Sequence, residues 1–408
     1  MEQTELYLDT ARLGRMSRRA QQAHIDFARL ASEEGGSKFF ERFLREGAES
    51  WSAAARTRFP GLAGWRGIAS LKASLRQLAG SSPELPVLVV SRSSQLMKFA
   101  ARLLFQSCRH VMATDLGWPP YREILDSEAR RAGRTVTTVS LRNLLMCDCI
   151  DIDDVMNATR ERFLSAGCDG LFLTAVSHHG LRLPCEKLVR ALEAAREVRS
   201  VVIDGAQDFC HASADLNHEY CDMYLAGCHK WLGAFHPMGL GFYGRRSSTR
   251  MIETLVGTLL TSGELDDPLL TFTTQIESTR LDGETETVGL IPLFTCQGAA
   301  DDALEHPCSL PDVLSQRQAN VIETSSLAAA CGWQPLLPAE AFRTGILLVQ
   351  AERQRTRQNS ADELRDAFAA NGVALTAYEK GIARLSMPAE SWQPLAFDRL
   401  DAALTSVA

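Results

Sequence analysis

Seven short apolar runs alternate with amphipathic segments between residues 86 and 244 of this 408-residue chain. The intervening segments, such as QLMKFAARLLF and EKLVRALEAAREV, repeat their apolar residues with the period of a helix, whereas the runs have the length of buried strands. The runs are PVLVV, HVMAT, TVTTVSL, GLFLTAV, SVVIDG, DMYLAG and GLGFYG. This alternation is typical of βαβ units and predicts a mostly parallel seven-stranded sheet flanked by helices. Ligands of such sheets bind at the carboxyl ends of the strands, so we expect the functional residues there.

A chain of this length exceeds one hydrophobic core and predicts two lobes. We expect an N-terminal segment, 1–80, that packs with the small domain, a large domain over 81–310 and a small α/β domain over 311–408. The small domain should contain the strands GILLVQ, VALTAY and IARLSM between helices. The threonine-rich stretch 258–288 has few apolar positions and is interpreted as a long ordered loop.

Charge and cysteine content exclude several classes of protein. The net charge is −7 and no basic run occurs, which disfavours nucleic-acid binding. No apolar run approaches a membrane span, and the acidic start resembles neither a signal peptide nor a transit peptide, so we expect a cytoplasmic protein without a membrane partner. Eleven irregularly spaced cysteines argue against a disulfide framework, and Cys147 and Cys149 lack further ligands for a metal site.

Polar residues follow two of the predicted strands. VVIDGAQDF ends a strand on Asp204 and places Gln207 three residues later, and CHKW places Lys230 after the next strand. Each of these residues alone fits a structural role, as a turn cap, a surface amide and a solvated lysine. Together they bring an acid, an amide and an amine to one edge of the sheet.

This combination, followed by the glycine-rich strand MGLGFYG, resembles the class V aminotransferase-like branch of the fold-type I pyridoxal-phosphate enzymes, which includes kynureninases, isopenicillin N epimerase-like proteins and cysteine desulfurases. The resemblance implies pyridoxal 5'-phosphate as cofactor. It implies that Lys230 holds the cofactor as an imine and shuttles protons, and that Asp204 keeps the pyridine nitrogen protonated. Gln207 would donate to the phenolic oxygen of the ring, and His229 would lie beside the phosphate or the lysine.

The cofactor's phosphate needs hydroxyls and backbone N–H groups at the start of a helix. LVVSRSSQLMKFAARLLF supplies a strand, then Ser93 and Ser94, then an amphipathic helix, although serines at this place can also be simple caps. In the family a threonine of the partner subunit completes the phosphate site in a motif similar to RLDGETETVG. This similarity points to Thr285 and to a homodimer with a shared active site, although Glu284 stands where a glycine is usual.

Three further segments supply candidate contacts to the ring and the substrate. ATDLGWPPYREIL resembles the stretch that places an aromatic residue on the ring, which implicates Trp118, although a core tryptophan is the alternative. TAVSHHGLRLP ends a strand on Ser177, His178 and His179; Ser177 is assigned to the cofactor and His178 to the substrate, with the register open by one residue. GIARLSMP resembles the strand whose arginine holds the substrate carboxylate, which points to Arg384, although an edge-strand arginine is the alternative.

The resemblance implies an enzyme that acts on an amino acid through an external aldimine, and we expect aminotransferase activity of the class V type. A lyase that breaks C–C or C–S bonds, or an epimerase, would use the same residues, and a cofactor-binding protein without turnover is a third alternative. Desulfurases carry a nucleophilic cysteine on a loop shortly before the arginine. No cysteine follows Cys331 here, and VALTAYEKGIARLS leaves no room for such a loop, which disfavours desulfurase chemistry.

Overall fold

The computed structural model describes residues 5–34, 37–147, 149–212, 214–278 and 287–408. The strands are β1 (Leu6–Tyr7), β2 (Val87–Val90), β3 (His110–Thr114), β4 (Thr135–Val139), β5 (Gly170–Thr174), β6 (Ser200–Asp204), β7 (Met223–Gly227), β8 (Gly239–Tyr243), β9 (Trp333–Leu336), β10 (Ile346–Ala351), β11 (Val373–Ala374), β12 (Thr376–Tyr378) and β13 (Ile382–Ser386). The helices are α1 (Arg18–Glu33), α2 (Ser37–Glu46), α3 (Ala53–Arg58), α4 (Ile68–Leu78), α5 (Ser93–Ser107), α6 (Pro119–Ala132), α7 (Arg142–Leu145), α8 (Ile152–Ala166), α9 (Cys185–Ala195), α10 (Thr249–Thr261), α11 (Pro268–Glu277), α12 (Ile291–Leu304), α13 (Leu310–Ala330), α14 (Gln354–Arg357), α15 (Ala361–Ala370) and α16 (Pro394–Val407).

The predicted seven-stranded sheet is confirmed. Its strand order is β2-β8-β7-β6-β5-β3-β4, and β8 runs antiparallel to both of its neighbours while the other pairs are parallel. Successive residues of a strand face opposite layers, so Val201 and Ile203 pack with α4, α8 and α9, whereas Val202 packs with α5 and α6. The sheet is covered on both faces, which explains why its central strands are continuously apolar in sequence.

The small lobe is built on an antiparallel sheet in the order β12-β13-β10-β9, packed against α13, α15 and α16. The three predicted strands are present, although VALTAY divides into β11 and β12, which join different sheets. The strand β9 was not predicted, because WQPL is short and contains a proline, which is rare inside strands.

The N-terminal segment divides its contacts between the two lobes. The strand β1 pairs in parallel with β11 of the small lobe, whereas α1 and α4 pack against α12 and belong to the core of the large sheet. The expected packing with the small domain is thus observed for the first residues only. The domain boundaries at 80 and 310 stay a prediction.

The expectation of a long loop over 258–288 is wrong for its described part. The helix α10 continues to Thr261, and α11 begins at Pro268 with Asp267 as its cap, whose side chain accepts a hydrogen bond from the N–H of Leu270. Thr258 and Thr261 donate their hydroxyls to carbonyls four residues earlier, at 2.9 and 2.8 Å, so a threonine-rich stretch can remain helical. A capping aspartate followed by proline is a helix start signal that outweighs composition.

Candidate active site

A cavity of about 490 Å³ opens at the carboxyl ends of β5, β6 and β7. Its walls come from the loops of the large sheet, from the N-terminal segment around Ala11 and from the strands β12 and β13. In the sheet register Thr174 lies beside Asp204, and Asp204 beside Leu225, so three strand ends meet at the floor of this cavity. It contains most of the residues that the sequence singles out.

Asp204 and Lys230 both line the cavity. Burial raises the pKa of Asp204 from 3.8 to about 6, against the lowering effects of a hydrogen bond from the N–H of Ala206 at 3.1 Å and of the nearby Lys230. Burial also lowers the pKa of Lys230 from 10.5 to about 8; Asp204 opposes this shift and Arg384 adds to it. At pH 7 about one Lys230 side chain in ten is therefore the uncharged, nucleophilic amine, far more than at the usual pKa of 10.5.

Gln207 is buried behind Asp204 and fixed at both ends of its side chain. Its amide nitrogen donates to the carbonyl of Ala11 at 2.6 Å, and its amide oxygen accepts from the indole N–H of Trp231 at 2.8 Å. The amide orientation is thus set, and one hydrogen of the nitrogen remains for the cavity that Gln207 lines.

His229 also lines the cavity. Burial, and secondly the positive charge of Lys230, lower the pKa of its imidazole to about 4, so the ring is neutral at pH 7. Its Nδ1 is buried without a hydrogen-bond partner among the described residues. Such an orphaned polar atom in a cavity wall is expected to meet a bound ligand.

The start of α5 forms another part of the wall. Ser93 lines the cavity and is half-buried, whereas Ser94 is exposed. The alternative that these serines merely cap the helix does not hold, since the cap position is Arg92, and no side chain in the described ranges caps the helix. The N–H groups of Ser93 and Ser94 have no acceptor within the helix and can bind an anion, whereas the N–H of Gln95 already donates to the carbonyl of Arg92 at 3.1 Å.

Trp118 lies at the cap position of α6, lines the cavity and is 47% exposed. Its ring meets that of Tyr121 edge-on, with centroids 5.3 Å apart. Such exposure excludes the alternative of a core tryptophan and leaves the indole available for stacking.

The loop after β5 separates the three residues that the sequence left ambiguous. His178 lines the cavity, whereas Ser177 is fully buried, and its oxygen accepts hydrogen bonds from the N–H groups of His179 and Leu181. Ser177 thus closes a turn, and its assignment to the cofactor is not supported by its position. Burial is the main cause that lowers the pKa of His178 to about 3 and that of His179 to about 4, with nearby arginines adding to both shifts.

Arg384 reaches the cavity from β13, as expected, and is buried. Its guanidinium is already engaged by the carboxylate of Asp9, the hydroxyl of Thr376 and the carbonyl of His178. The contact with Asp9 could not be predicted from local sequence patterns, because the two residues are far apart in the chain. Thr285 lies outside the described residues.

Five polar cavity residues were missed by sequence reasoning: Arg12, Tyr121, Thr174, Thr376 and Tyr378. Tyr121 lies three residues after Trp118, and Thr174 lies three residues before Ser177. Their closeness in sequence to predicted site residues could have identified them. Burial, with the negative charge of Asp204 adding to it, raises the pKa of the Tyr121 hydroxyl well above 10, and the hydroxyl contacts Ser93. Thr376 and Tyr378 lie in VALTAYEKGIARLS, which was considered only in relation to Arg384, whereas Arg12 carried no recognisable signal.

The part of the chain that the structure describes contains no cluster of three metal-ligating side chains. All eleven cysteines are free thiols. Among the described helices, none combines the length and the apolar character that crossing a membrane requires.

Comparisons with known proteins agree with this geometry. Residues 71–271 match the family model described as aminotransferase class-V. No curated protein matches the sequence significantly. A cysteine desulfurase from Escherichia coli superposes with a TM-score of 0.68 at 14% identity, covering 99% of this chain and 94% of that one.

Two aminotransferases are similar to the same extent. The ureidoglycine–glyoxylate aminotransferase of Bacillus subtilis has a TM-score of 0.67 at 12% identity, covering 100% of this chain and 93% of that one. The alanine–glyoxylate aminotransferase of Nostoc sp. has a TM-score of 0.66 at 15% identity, covering 100% and 96%. At these identities the superpositions show the shared fold.

Proposed function

Because this chain belongs to the class V aminotransferase family of fold-type I enzymes, we propose that it is a pyridoxal-phosphate-dependent aminotransferase that acts on an amino acid. The observation that carries the proposal is the meeting of Asp204, Lys230 and the uncapped start of α5 in one cavity. Fold alone supports many reactions, so these residues and their chemistry bear the argument.

The cavity fits pyridoxal phosphate in its donors and acceptors. A buried carboxylate, an amine with a lowered pKa and a helix N-terminus suit the ring nitrogen, the aldehyde and the phosphate of the cofactor respectively. The buried Nδ1 of His229 and Oγ1 of Thr174 lack partners among the described residues and line the same space. A bound polar ligand would satisfy both atoms.

Pyridoxal phosphate, when bound, withdraws electrons from the α-carbon of an attached amino acid and so makes its C–H bond acidic. Lys230 then takes the proton from the α-carbon and returns it, for which its pKa of about 8 is well placed. Asp204, as a carboxylate, holds the ring nitrogen in its protonated form, and Gln207 donates its remaining amide hydrogen to the phenolic oxygen.

The other assigned residues hold the two ends of the bound molecules. The hydroxyl of Ser93 and the N–H groups of Ser93 and Ser94 would bind the phosphate together with His229. Trp118 stacks on the ring. At the substrate end, His178 and Arg384 orient the amino acid, Arg384 through its carboxylate.

The connection between β12 and β13 favours aminotransfer over desulfurase chemistry. Only residues 379–381 join the two strands, and Lys380 and Gly381 both take positive φ, at 65° and 67°, as in a tight turn. No cysteine follows Cys331, and no cysteine is among the described residues that line the cavity. A cysteine-bearing loop near Arg384 is therefore missing.

We also propose a homodimer in which Thr285 of one subunit reaches the phosphate of the other, as in the family that the chain resembles. A cytoplasmic location is supported by the eleven free cysteines, which would be prone to pair in an oxidising compartment.

A panel of amino acids, each incubated with the cofactor-loaded enzyme, tests the proposed reaction. An aminotransferase releases one equivalent of keto acid per site without an acceptor, and turns over repeatedly only when a second keto acid is supplied. The control is Lys230→Ala, which removes the proton-transferring amine and should release none. Ammonia release would indicate a lyase, loss of optical activity an epimerase, and no change a binding protein; each would refute the proposal.

A further inference from the structure

An internal carboxylate lies against the proposed substrate-binding arginine. Oδ1 of Asp9 is 3.2 Å from Nη2 of Arg384 and accepts a hydrogen bond from the hydroxyl of Thr376. Asp9 and Arg384 are 7% and 4% exposed, so their attraction is only weakly screened by solvent. The pair joins the N-terminal segment to the small lobe at the edge of the cavity.

A guanidinium has two edges that can bind a carboxylate through two parallel hydrogen bonds, and the present hydrogen bonds of Arg384 involve both edges. Nη2 donates to Asp9 at 3.2 Å and to Thr376 at 2.9 Å, which uses both of its hydrogens. Each two-pronged edge of a guanidinium includes Nη2, paired either with Nη1 or with Nε. Nη1 donates to the carbonyl of His178 at 3.2 Å, and the buried Nε has no partner in the described part of the chain. A second carboxylate can therefore bind bidentately only if Asp9 or Thr376 gives up its hydrogen bond.

A second arginine is placed to receive Asp9. Nη1 of Arg12 is 4.0 Å from Oδ2 of Asp9, and the Arg12 side chain lines the cavity and is 63% exposed. This long, exposed contact contributes little while Asp9 remains on Arg384. Arg12 is therefore an alternative cationic partner for the Asp9 carboxylate when this carboxylate leaves Arg384.

We propose that Asp9 is an internal competitor of the substrate: its carboxylate occupies Arg384 and weakens the binding of every α-carboxylate, so that only substrates that displace it enter the site. This inference rests on the proposed function, because it takes Arg384 as the group that binds the substrate carboxylate. Asp9 thereby determines specificity, since only a ligand with a full carboxylate can displace Asp9 from Arg384.

The test measures the affinity of the cofactor-loaded enzyme for propionate, a carboxylate without an amine, by calorimetric titration. Asp9→Asn removes the competing charge but keeps the shape, and should lower the dissociation constant of propionate roughly tenfold or more. The matched control is Asp302→Asn, which removes a carboxylate that binds the backbone N–H of Arg19 outside the cavity and should leave propionate affinity unchanged.

Thr376→Val provides a second route if Asp9→Asn folds poorly, because a buried arginine without its partner is destabilising. Loss of the Thr376 hydroxyl frees one hydrogen of Nη2 and loosens Asp9, so propionate should again bind more tightly. Weaker or unchanged binding in the variant that folds would overturn the proposal and would make Asp9 a residue that merely positions Arg384. Formation of keto acid by the wild-type enzyme is measured separately, so failure of the proposed reaction is distinguished from failure of this inference.

Discussion

At the scale of single residues, burial changes the charge state of the groups that do the chemistry. The pKa of Asp204 is raised and that of Lys230 is lowered, so each is moved towards its neutral form. Both shifts have desolvation as their first cause, and each is only partly opposed by the other residue of the pair. The site therefore holds these charges at a cost that the bound cofactor would offset.

We predict that Asp204→Asn stabilises the cofactor-free protein above pH 6. A folded-state pKa of about 6, against the usual 3.8, means that wild-type stability falls as pH rises between these values, because the buried carboxylate must ionise. Since one pH unit of pKa change corresponds to about 1.4 kcal/mol, the gain at pH 8 should reach up to about 3 kcal/mol.

Chemical denaturation at pH 4 and pH 8 measures this gain, which should be small at the lower pH. The same variant should lose turnover by orders of magnitude, since electrostatic stabilisation of developing charge is usually a large catalytic contribution. A variant that is less stable than wild type at pH 8, or that retains normal turnover, would contradict the assigned role.

At the scale of elements, the N-terminal segment holds the lysine loop in place. The N–H of Gly14 donates to the carbonyl of His229 at 2.7 Å, and the N–H of Ser17 donates to that of Gly233 at 2.9 Å. A Cβ on Gly14 would lie only 1.9 Å from the carbonyl oxygen of Lys230. This close approach requires a glycine, and it couples residues before α1 to the position of Lys230.

We expect Gly14→Ala to displace this segment, with a loss of stability on the order of 1–3 kcal/mol and a marked loss of activity. The control is Gly257→Ala in α10, where a Cβ would meet nothing within 4 Å and the substitution favours a helix. Thermal unfolding and keto-acid formation by both variants check the prediction. Equal behaviour of the two would show that the segment adapts to the added methyl group.

Helices and strands could be predicted from the sequence where a local pattern of apolar residues determines them. The seven strands of the large sheet follow from short apolar runs, since both faces of that sheet are covered. The segment 258–288 was wrongly predicted as a loop, because the prediction relied on its threonine-rich composition and overlooked the capping signal at Asp267. The strand β9 was missed because it is only four residues long and is stabilised by its pairing with β10, which the local sequence does not reveal.

At the scale of the whole molecule, the site assembles from parts that are distant in sequence. Residues of one strand edge, such as Asp204 and Lys230, could be brought together from the sequence because the carboxyl ends of parallel strands share an edge. The contact between Asp9 and Arg384 could not, since it joins β13 to a segment before α1 that is 375 residues away in sequence. Local periodicity carries no information on such long-range pairs.

The central claim is that Lys230 holds pyridoxal phosphate in this cavity, and borohydride reduction of the purified, cofactor-loaded enzyme tests it most directly. We predict a yellow protein in which reduction fixes the cofactor to one tryptic peptide, with mass spectrometry locating it on Lys230, and Lys230→Ala should fold normally yet retain no label. Recovery of the label on another lysine, such as the buried Lys72, or an unlabelled wild-type protein, would contradict the account.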